Sequence, residues 1–503
     1  MKVLLFVGWW LCCLGAEATN LITITVPAES SGDAYFATTG VDTANNCQTK
    51  LAPCATPQRA MQQVTSGHNV WCATGSYDIS ANFSFTSSTN GSSGAPVFVG
   101  PYPGQSCTFT IQSQGVNFYG VSYWTFHDLN ITYLDEGFVY GCSGGSGRGA
   151  TCGNVPATHI QFYKDTFVQT TPNGPCGGLN CGGIAWNSSA YVSTGPFDDY
   201  FDIVQCDFSQ SGTLFNNINN TALISFTNEI DHINVIGNTF HNIAVGIRFK
   251  FDSMASSSAS VSAVIENNIF YSMGTYAFEN QRSWAKFINN AVSGAIVQIG
   301  LATDTQGGHD SILNHNTFYN GQLSIADGCY SGIFCGDVGG YTYGVYGYNT
   351  GAGGGNINNV SQRNSIYSGA SALGNSWNLG NTAYQTTYFS SGPLDGFTAD
   401  YDFIWASSTA QAANNSLLTM WGGGGYAATW SLEAHGVNGT PAFAGNLSTT
   451  PQTASNWVNT NPQTGNDTLS MGVIASALLT VTDPLSGGSA YKPYFHSHTH
   501  RVH

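Results

Sequence analysis

Ile233-Asn234-Val235-Ile236-Gly237-Asn238-Thr239-Phe240 places an asparagine between two short segments in which apolar residues alternate with polar ones. Alternation of this kind predicts β-strands with one buried face, and the Gly-Asn pair predicts a tight bend between them. The same pattern returns downstream. Its further copies cover residues 263–270, 285–292, 311–318 and, more weakly, 360–366.

The asparagines at these bends recur at the spacing of a coil. They are Asn238, Asn268, Asn290, Asn316 and Asn364, which lie 30, 22, 26 and 48 residues apart, the last step being two coils. A second apolar segment follows each aromatic position, so each coil holds three short strands. Looser copies precede them at 165–167 and 206–208. Self-similarity at such a period is typical of a solenoid, and we predict an all-β parallel solenoid whose asparagines hydrogen-bond from coil to coil.

Composition excludes several other classes of protein. The chain has 503 residues, of which 42% are hydrophobic and only 8% charged, and its formal net charge is −16. Soluble domains usually carry about 25% charged residues. The acidic balance argues against a nucleic-acid binder that neutralises phosphates. The 13% of aromatic residues argues against disorder, which needs few of them.

The first 18 residues are typical of a secretory signal. Lys2 precedes the apolar run Val3–Leu14, and Ala16-Glu17-Ala18 fits a small-x-small cleavage site. No later apolar segment reaches the roughly 20 residues that a transmembrane helix needs. We therefore expect a secreted chain with no transmembrane segment. Its predicted parts are the signal at 1–18, a β-helix domain at 19–400, and C-terminal coils, cap and polar tail at 401–503.

Export makes disulfide bonds and glycosylation of the ten Asn-x-Ser/Thr sites possible. Neighbouring cysteines predict the pairs Cys47–Cys54, Cys142–Cys152, Cys176–Cys181, Cys329–Cys335 and Cys72–Cys107. Cys206 is left over, inside an alternating segment that predicts burial. Thr56 and Pro57 suit the start of a helix in which Ala60, Met61 and Val64 share one face. We expect that helix to cap the N-terminal end of the solenoid.

The opening of the chain adds a family resemblance. Gly40-Val41-Asp42, the helix that starts at Thr56-Pro57 and the strand that ends in Gly75-Ser76-Tyr77, together with the repeats to residue 366, resemble the pectin lyase-like superfamily. The resemblance covers residues 35–400 and implies a right-handed parallel β-helix. It also implies a polysaccharide or other glycan as partner, because the family includes pectate, pectin and alginate lyases, polygalacturonases, epimerases and phage tailspikes.

Basic residues are few, and four of them fall within a short stretch. Arg248 and Lys250 alternate around Phe249, which places them on the face opposite the ring. They resemble the basic pair of a polysaccharide lyase, in which one group removes the proton α to a uronate carboxylate and another stabilises the anion. We predict catalytic roles for Lys250, Arg248 and Arg282, and substrate binding by Lys286.

An ion-pair cluster is the alternative interpretation of the same residues. Aligning the coils on the asparagines places Glu279 on the rung next to Arg248, and Asp252 and Glu266 lie nearby in the chain. In that case the charges stabilise an outer face and do no chemistry.

Acidic residues give a second candidate site. Asp198, Asp199 and Asp202 form the densest acidic run, which is suited to a Ca²⁺ ion that bridges to an acidic sugar. The same carboxylates also fit a glycoside hydrolase or a solvated loop. Tyr343 and Tyr346, in a Gly-rich run, are candidates for stacking on sugar rings or for packing against the solenoid.

Two functions remain open from the sequence. The first is a secreted polysaccharide lyase, with Ca²⁺ as a possible cofactor, that acts by β-elimination along one face of the helix. The second is a non-catalytic structural or glycan-binding β-helix, which the scarcity of ionisable groups favours. The sequence predicts no particular oligomeric state.

Overall fold

A computed structural model describes most of the chain between residues 24 and 473. The described residues are 24–79, 89–112, 115–118, 121–134, 136–140, 157–170, 182–187, 199–211, 222–227, 232–250, 262–280, 285–299, 309–326, 343–346, 358–369, 397–406, 435–438, 441–447, 453–461, 463–464 and 472–473. The predicted signal at 1–18 and the polar tail lie outside them.

The strands form three sheets, and the chain visits each sheet in turn. The first sheet contains β1 (Ala34–Phe36), β2 (Asn69–Cys72), β4 (Val97–Pro101), β7 (Ser122–His127), β10 (Thr158–Tyr163), β13 (Asp199–Val204), β16 (His232–Ile236), β19 (Ser262–Glu266), β22 (Ala285–Ile288), β25 (His309–Asn314), β29 (Asn358–Arg363) and β31 (Phe397–Asp400). The second contains β3 (Gly75–Ile79), β5 (Cys107–Ile111), β8 (Leu129–Tyr133), β11 (Thr166–Gln169), β14 (Asp207–Gln210), β17 (Thr239–His241), β20 (Ile269–Tyr271), β23 (Ala291–Ser293), β26 (Thr317–Tyr319), β30 (Ile366–Gly369), β32 (Phe403–Ala406) and β33 (Val437–Asn438).

The third sheet contains β6 (Val116–Phe118), β9 (Glu136–Tyr140), β12 (Gly182–Asn187), β15 (Ile224–Thr227), β18 (Val245–Lys250), β21 (Tyr276–Asn280), β24 (Ile296–Ile299), β27 (Gln322–Ala326) and β28 (Tyr343–Tyr346). Neighbouring strands within each sheet are parallel, as in β16 with β19 and β18 with β21. From β4 to β27, each turn of the chain thus adds one strand to each sheet. The predicted all-β fold, a right-handed parallel β-helix, is confirmed.

The bend between the first and second sheets holds the predicted asparagine ladder. The backbone N–H groups of Asn238, Asn268 and Asn290 each donate to the side-chain oxygen of the ladder asparagine in the next coil, at 2.9–3.0 Å. Each side-chain amide also donates to a backbone carbonyl of the first sheet, at 2.7–2.8 Å. The ladder therefore satisfies buried polar groups that a bend would otherwise leave without partners.

One predicted rung is displaced by a residue. Asn316 donates its backbone N–H to Ser365 Oγ at 3.2 Å, so Ser365 and not Asn364 occupies the ladder. The prediction that this step spans two coils was also wrong, because β26 pairs directly with β30 and the step is a single coil. Asn364 holds the preceding turn position, where φ is 52°, as Asn289 does with φ of 53°. Asparagine suits this left-handed position as well as the ladder, and the residue type alone did not distinguish the two.

The interior is built from rings stacked coil on coil. Phe167, Phe208, Phe240 and Phe270 occupy equivalent positions of the second sheet, with centroids 4.7–5.0 Å apart and planes within 9° of parallel. All four are fully buried. This column fixes the register of the second sheet, because a slip of one residue would turn every ring toward the outside.

The N-terminal coils contain covalent and polar contacts, and the capping role of their helix stays a prediction. Helix α1 (Pro57–Gln63) begins after Thr56, whose hydroxyl accepts the N–H of Arg59 at 3.2 Å. The predicted bonds Cys47–Cys54 and Cys72–Cys107 are present. Cys206 is a buried free thiol, also as predicted. The other three predicted pairs lie outside the described residues.

Parts of the outer faces are covered by the ends of the chain. Ile24 packs on Phe98, Tyr163, Val204 and Ile236 on the outside of the first sheet. Leu447, Trp457 and Val473 pack on Ala291 of the second sheet. The single α-helix of the described residues is far too short to cross a bilayer. The division at residue 400 stays a prediction.

Candidate functional site

The predicted catalytic pair lies in the third sheet. Arg248 and Lys250 are in β18, and Ile247 and Phe249 of the same strand are fully buried in the core. Arg248 therefore points away from the core, as the alternation predicted. Lys250 ends the strand, and the register pairs it with Thr227 of the preceding coil.

Arg248 forms a buried ion pair with the neighbouring coil. Its Nε donates to Glu279 Oε2 at 2.5 Å, and the register places the two residues directly side by side. The predicted neighbourhood of Glu279 and Arg248 is thus confirmed. Arg248 is 2% exposed and Glu279 is 7% exposed. Removing two charges from water is costly even when they pair, so this contact is weak evidence for stability and a reason to look for function.

The ion pair belongs to a longer polar row. Ser225, Arg248, Glu279 and Gln298 are consecutive in the register of the third sheet, and all four are buried. We call these four residues the polar row. Arg248 and Glu279 thus lie on the outer side of the sheet and are nevertheless buried.

Lys286 lies in a different sheet. It is in β22 of the first sheet, paired in register with Val264 and Ile312. Burial lowers the pKa of Lys286, and the attraction of Glu266 opposes that shift. The structure thus does not bring Lys286 into the same sheet as Arg248 and Lys250. Arg282, the remaining predicted basic residue, lies outside the described residues.

The aspartates have separate surroundings. Asp202 is in β13 and is 1% exposed. Its carboxylate accepts hydrogen bonds from Gln161 Nε2 at 3.1 Å and from Asn234 Nδ2 at 2.7 Å. Each carboxylate oxygen thus has one amide donor, and the calcium-binding role of Asp202 stays a prediction. Asp199 begins the same strand, and Asp198 lies outside the described residues. Within the described ranges, no three His, Cys, Asp or Glu side chains are grouped as metal ligands would be.

The two predicted sugar-binding tyrosines occur in the third sheet. Tyr343 and Tyr346 are the first and last residues of β28, and they pair in register with Leu323 and Ala326. They therefore share a sheet with Arg248, but β28 is four strands beyond β18, with β21, β24 and β27 between them.

Two groups of side chains were not predicted from the sequence. In the first, His241 Nε2 is 3.3 Å from Asp207 Oδ1, and the imidazole stacks on the ring of Tyr271 with centroids 5.0 Å apart. Burial, followed by the charge of Asp207, raises the pKa of Tyr271. These residues come from three successive coils of the second sheet. Only an alignment of the coils would have revealed them.

The second group is a column of three rings on the first sheet. Tyr123, His159 and Tyr200 stack in that order, with centroids 4.2 and 4.6 Å apart. We call these three residues the aromatic column. Each is the second residue of its strand, and each has a left-handed backbone, with φ of 58°, 55° and 59°. Glycine and asparagine signal such a backbone in a sequence, and neither is present here.

Known proteins give limited guidance. No protein-family model matches the chain, and no curated protein matches it by sequence. Among solved structures, pectate lyase Pel9A is 17% identical, with a TM-score of 0.34 over 66% of this chain and 74% of its own. A mannuronic acid specific polysaccharide family 6 lyase from human gut microbiota is 14% identical, with a TM-score of 0.31 over 71% of this chain and 86% of its own. Tailspike protein 3 of bacteriophage CBA120 is 12% identical, with a TM-score of 0.33 over 75% of this chain and 60% of its own. Likeness at this level assigns no activity to the chain.

Proposed function

We propose that the chain is a secreted carbohydrate-active protein that cleaves a uronic-acid-containing polysaccharide by β-elimination along the third sheet. The observation that carries the proposal is the polar row, in which Arg248, buried and paired with Glu279 of β21, shares β18 with Lys250. A buried pair of opposite charges on the outer side of a solenoid has no obvious structural purpose. Buried pairs of opposite charges are candidates for functional sites.

The proposed chemistry needs a base and a cation. The unprotonated amine of Lys250 takes the proton α to the uronate carboxylate. The bond between the β carbon and the glycosidic oxygen then breaks, a carbon–carbon double bond forms, and the departing oxygen takes up a proton. Arg248, held in place by Glu279, and Arg282 stabilise the negative charge that develops on the carboxylate. Tyr343, Tyr346 and Lys286 are proposed contacts of the glycan away from the bond that breaks.

Net charge limits the substrate. A protein with a formal net charge of −16 repels a polyuronate, which is also negatively charged, unless local cations offset the repulsion. Calcium carried in with the substrate, bound in part by Asp198 and Asp199, is one such offset and remains a proposal. The bonds of Asp202 to Gln161 and Asn234 make that residue a positioning group for the first sheet.

The test is turnover of polygalacturonate, alginate and neutral xylan by the purified protein, with and without Ca²⁺. A lyase produces new ultraviolet absorbance from the unsaturated uronate. Lys250→Ala should abolish it, and so should Lys250→Arg, which keeps the charge but is too weak a base. Lys50→Ala is the matched control, because Lys50 is an exposed lysine paired with Glu29 far from the third sheet. Full activity in both Lys250 variants would remove the assignment.

Arg248 needs a different design. Arg248→Ala leaves Glu279 buried without its partner, which is expected to cost about 3–5 kcal/mol. The double variant Arg248→Met/Glu279→Leu removes both charges and should fold. Loss of turnover in the folded double variant supports a role for the pair.

A non-catalytic glycan-binding protein is the second candidate. It is favoured by one observation, namely that Lys286 lies in a different sheet from Arg248. Binding of a glycan from the panel without product formation in any condition would favour this candidate over the lyase.

A further inference from the structure

The aromatic column is built at the expense of backbone conformation. In the strand pairing, Ser122, Thr158 and Asp199 are aligned with one another, and so are the residues two positions later. The column residue between them is skipped in each strand, so it bulges out of the sheet. A left-handed backbone is unfavourable for side chains as bulky as tyrosine. The chain uses glycine at another such position, Gly237, where φ is 68°. Repetition of the same outlier on three successive coils calls for an explanation.

Stacking alone is a weak explanation. Ring pairs at these distances attract one another, but the interior of the helix obtains the same attraction from Phe208 and Phe240 without any left-handed residue. The members of the column are half-buried, so part of each ring is accessible from outside. The polar groups of the column are the two phenol hydroxyls and, because Nδ1 of His159 is buried, the Nε2 atom of its imidazole.

The position of the column relates it to the site proposed for turnover. Tyr200 lies at the corner that follows β12, and Lys250 ends β18, two strands further along the third sheet. Adjacent parallel strands are about 4.8 Å apart, so this offset is about 10 Å along the solenoid axis. The column continues from that corner for two more coils, away from Lys250, and its rings are spaced by one coil each.

We propose that the aromatic column is a glycan subsite, in which the hydroxyls of Tyr123 and Tyr200 and the imidazole of His159 hydrogen-bond a polysaccharide chain that runs along the solenoid axis toward Lys250. The proposal deepens the proposed function and rests on it. The three rings follow one another with centroids 4.2 and 4.6 Å apart, and a row of hydroxyl and imidazole groups suits a hydroxyl-rich polymer that lies parallel to it. They select for sugar hydroxyls and do not depend on the charge of the glycan.

The experiment separates binding from strain. Affinity for oligogalacturonate, oligoalginate and neutral xylo-oligosaccharide is measured by calorimetry in a Lys250→Ala background, where the glycan stays intact. Tyr200→Gly removes a ring and relieves the left-handed backbone. It should weaken binding by about tenfold or more and leave the thermal midpoint unchanged or higher. Tyr200→Phe removes only the hydroxyl and should weaken binding to a smaller extent.

Tyr401→Gly is the matched control. Tyr401 has φ of 61° and stacks on His435 with centroids 4.5 Å apart, so it combines the same backbone with the same contact at a distant corner. It should leave affinity unchanged. Unaltered affinity in Tyr200→Gly, or an equal loss in Tyr401→Gly, would overturn the subsite while the proposed function stands. If the Lys250→Ala protein binds none of the three probes, the proposed function fails and the subsite fails with it.

Discussion

Removing one rung from the asparagine ladder tests whether the ladder holds the coils together. Asn268 is fully buried, and its Oδ1 accepts both the backbone N–H and the side-chain amide of Asn238, at 2.9 and 3.0 Å. Its own amide donates to Val235 O at 2.8 Å and to Asn290 Oδ1 at 3.0 Å. Asn268→Ala deletes all four contacts and offers no replacement.

The magnitude follows from what is left without a partner. The buried N–H of Asn238 loses its acceptor, which costs about 1–3 kcal/mol. The lost donation to Val235 adds about 1 kcal/mol. The amide of Asn238 keeps its bond to Ile203 O at 2.8 Å, so it adds little. We therefore expect the free energy of unfolding to fall by about 3 kcal/mol, a large part of the 5–15 kcal/mol that is usual for proteins.

Urea unfolding followed by circular dichroism measures the total change. Hydrogen exchange at Asn238 reports the local change, which matters because coils of a solenoid can open separately. Asn130→Ala is the control, since Asn130 makes only an exposed side-chain bond to Ser106 at 3.0 Å. The control should change stability by less than about 0.5 kcal/mol. If Asn268→Ala is no less stable than Asn130→Ala, and exchange at Asn238 is unchanged, the ladder does not stabilise the fold.

Three further changes have defined outcomes. Burial raises the pKa of Asp165, so its contribution to stability is present below the unfolded pKa, about 4, and is lost as pH rises. Asp165→Asn should therefore gain stability over the wild type in urea as pH rises from about 4 to about 8; an advantage that shrinks with pH contradicts this. For Asp33, burial is outweighed by hydrogen bonds from Asn69, Trp71 and Ser30, which lower its pKa, so its contribution is present above pH 4 and lost below. Asp33→Asn should lose stability at neutral pH and show a flatter acid limb in thermal melts. Phe240→Ala should lower the free energy of unfolding in urea by about 3–5 kcal/mol, because it leaves a cavity in the buried stack of phenylalanine rings of the second sheet. A loss smaller than that of Asn130→Ala would contradict this expectation.

The fold was predictable because it repeats. Asn238, Asn268, Asn290 and Asn316 occupy the same bend of successive coils, so the period in the sequence is the period of the structure. A residue at one position of a coil has the same environment as its equivalent one coil away, and its type recurs for that reason. The prediction slipped by one at Ser365, where a hydroxyl oxygen replaces the amide oxygen. The ladder requires an acceptor, and asparagine is only its commonest source.

The candidate site was less predictable than the fold. To place its residues, one must know to which of the three sheets each residue belongs and which residue of the next coil lies beside it. The coil alignment located Glu279 beside Arg248, since both are outward residues of the same sheet. It did not reveal that Lys286, only 38 residues beyond Arg248, belongs to another sheet, because a coil length of 22–30 residues leaves the strand assignment of a single lysine open.

The aromatic column is harder still to detect in the sequence. Tyr123, His159 and Tyr200 are 36 and 41 residues apart, spacings set by long inserted segments and not by the coil. Their left-handed backbone has no local signal, because none of the three is the glycine or asparagine that usually marks it. A regular scaffold thus leaves its marks in the sequence, whereas the proposed subsite lies beside insertions that break the period. Sites in a solenoid are therefore best sought where the spacing between equivalent residues departs from the coil length.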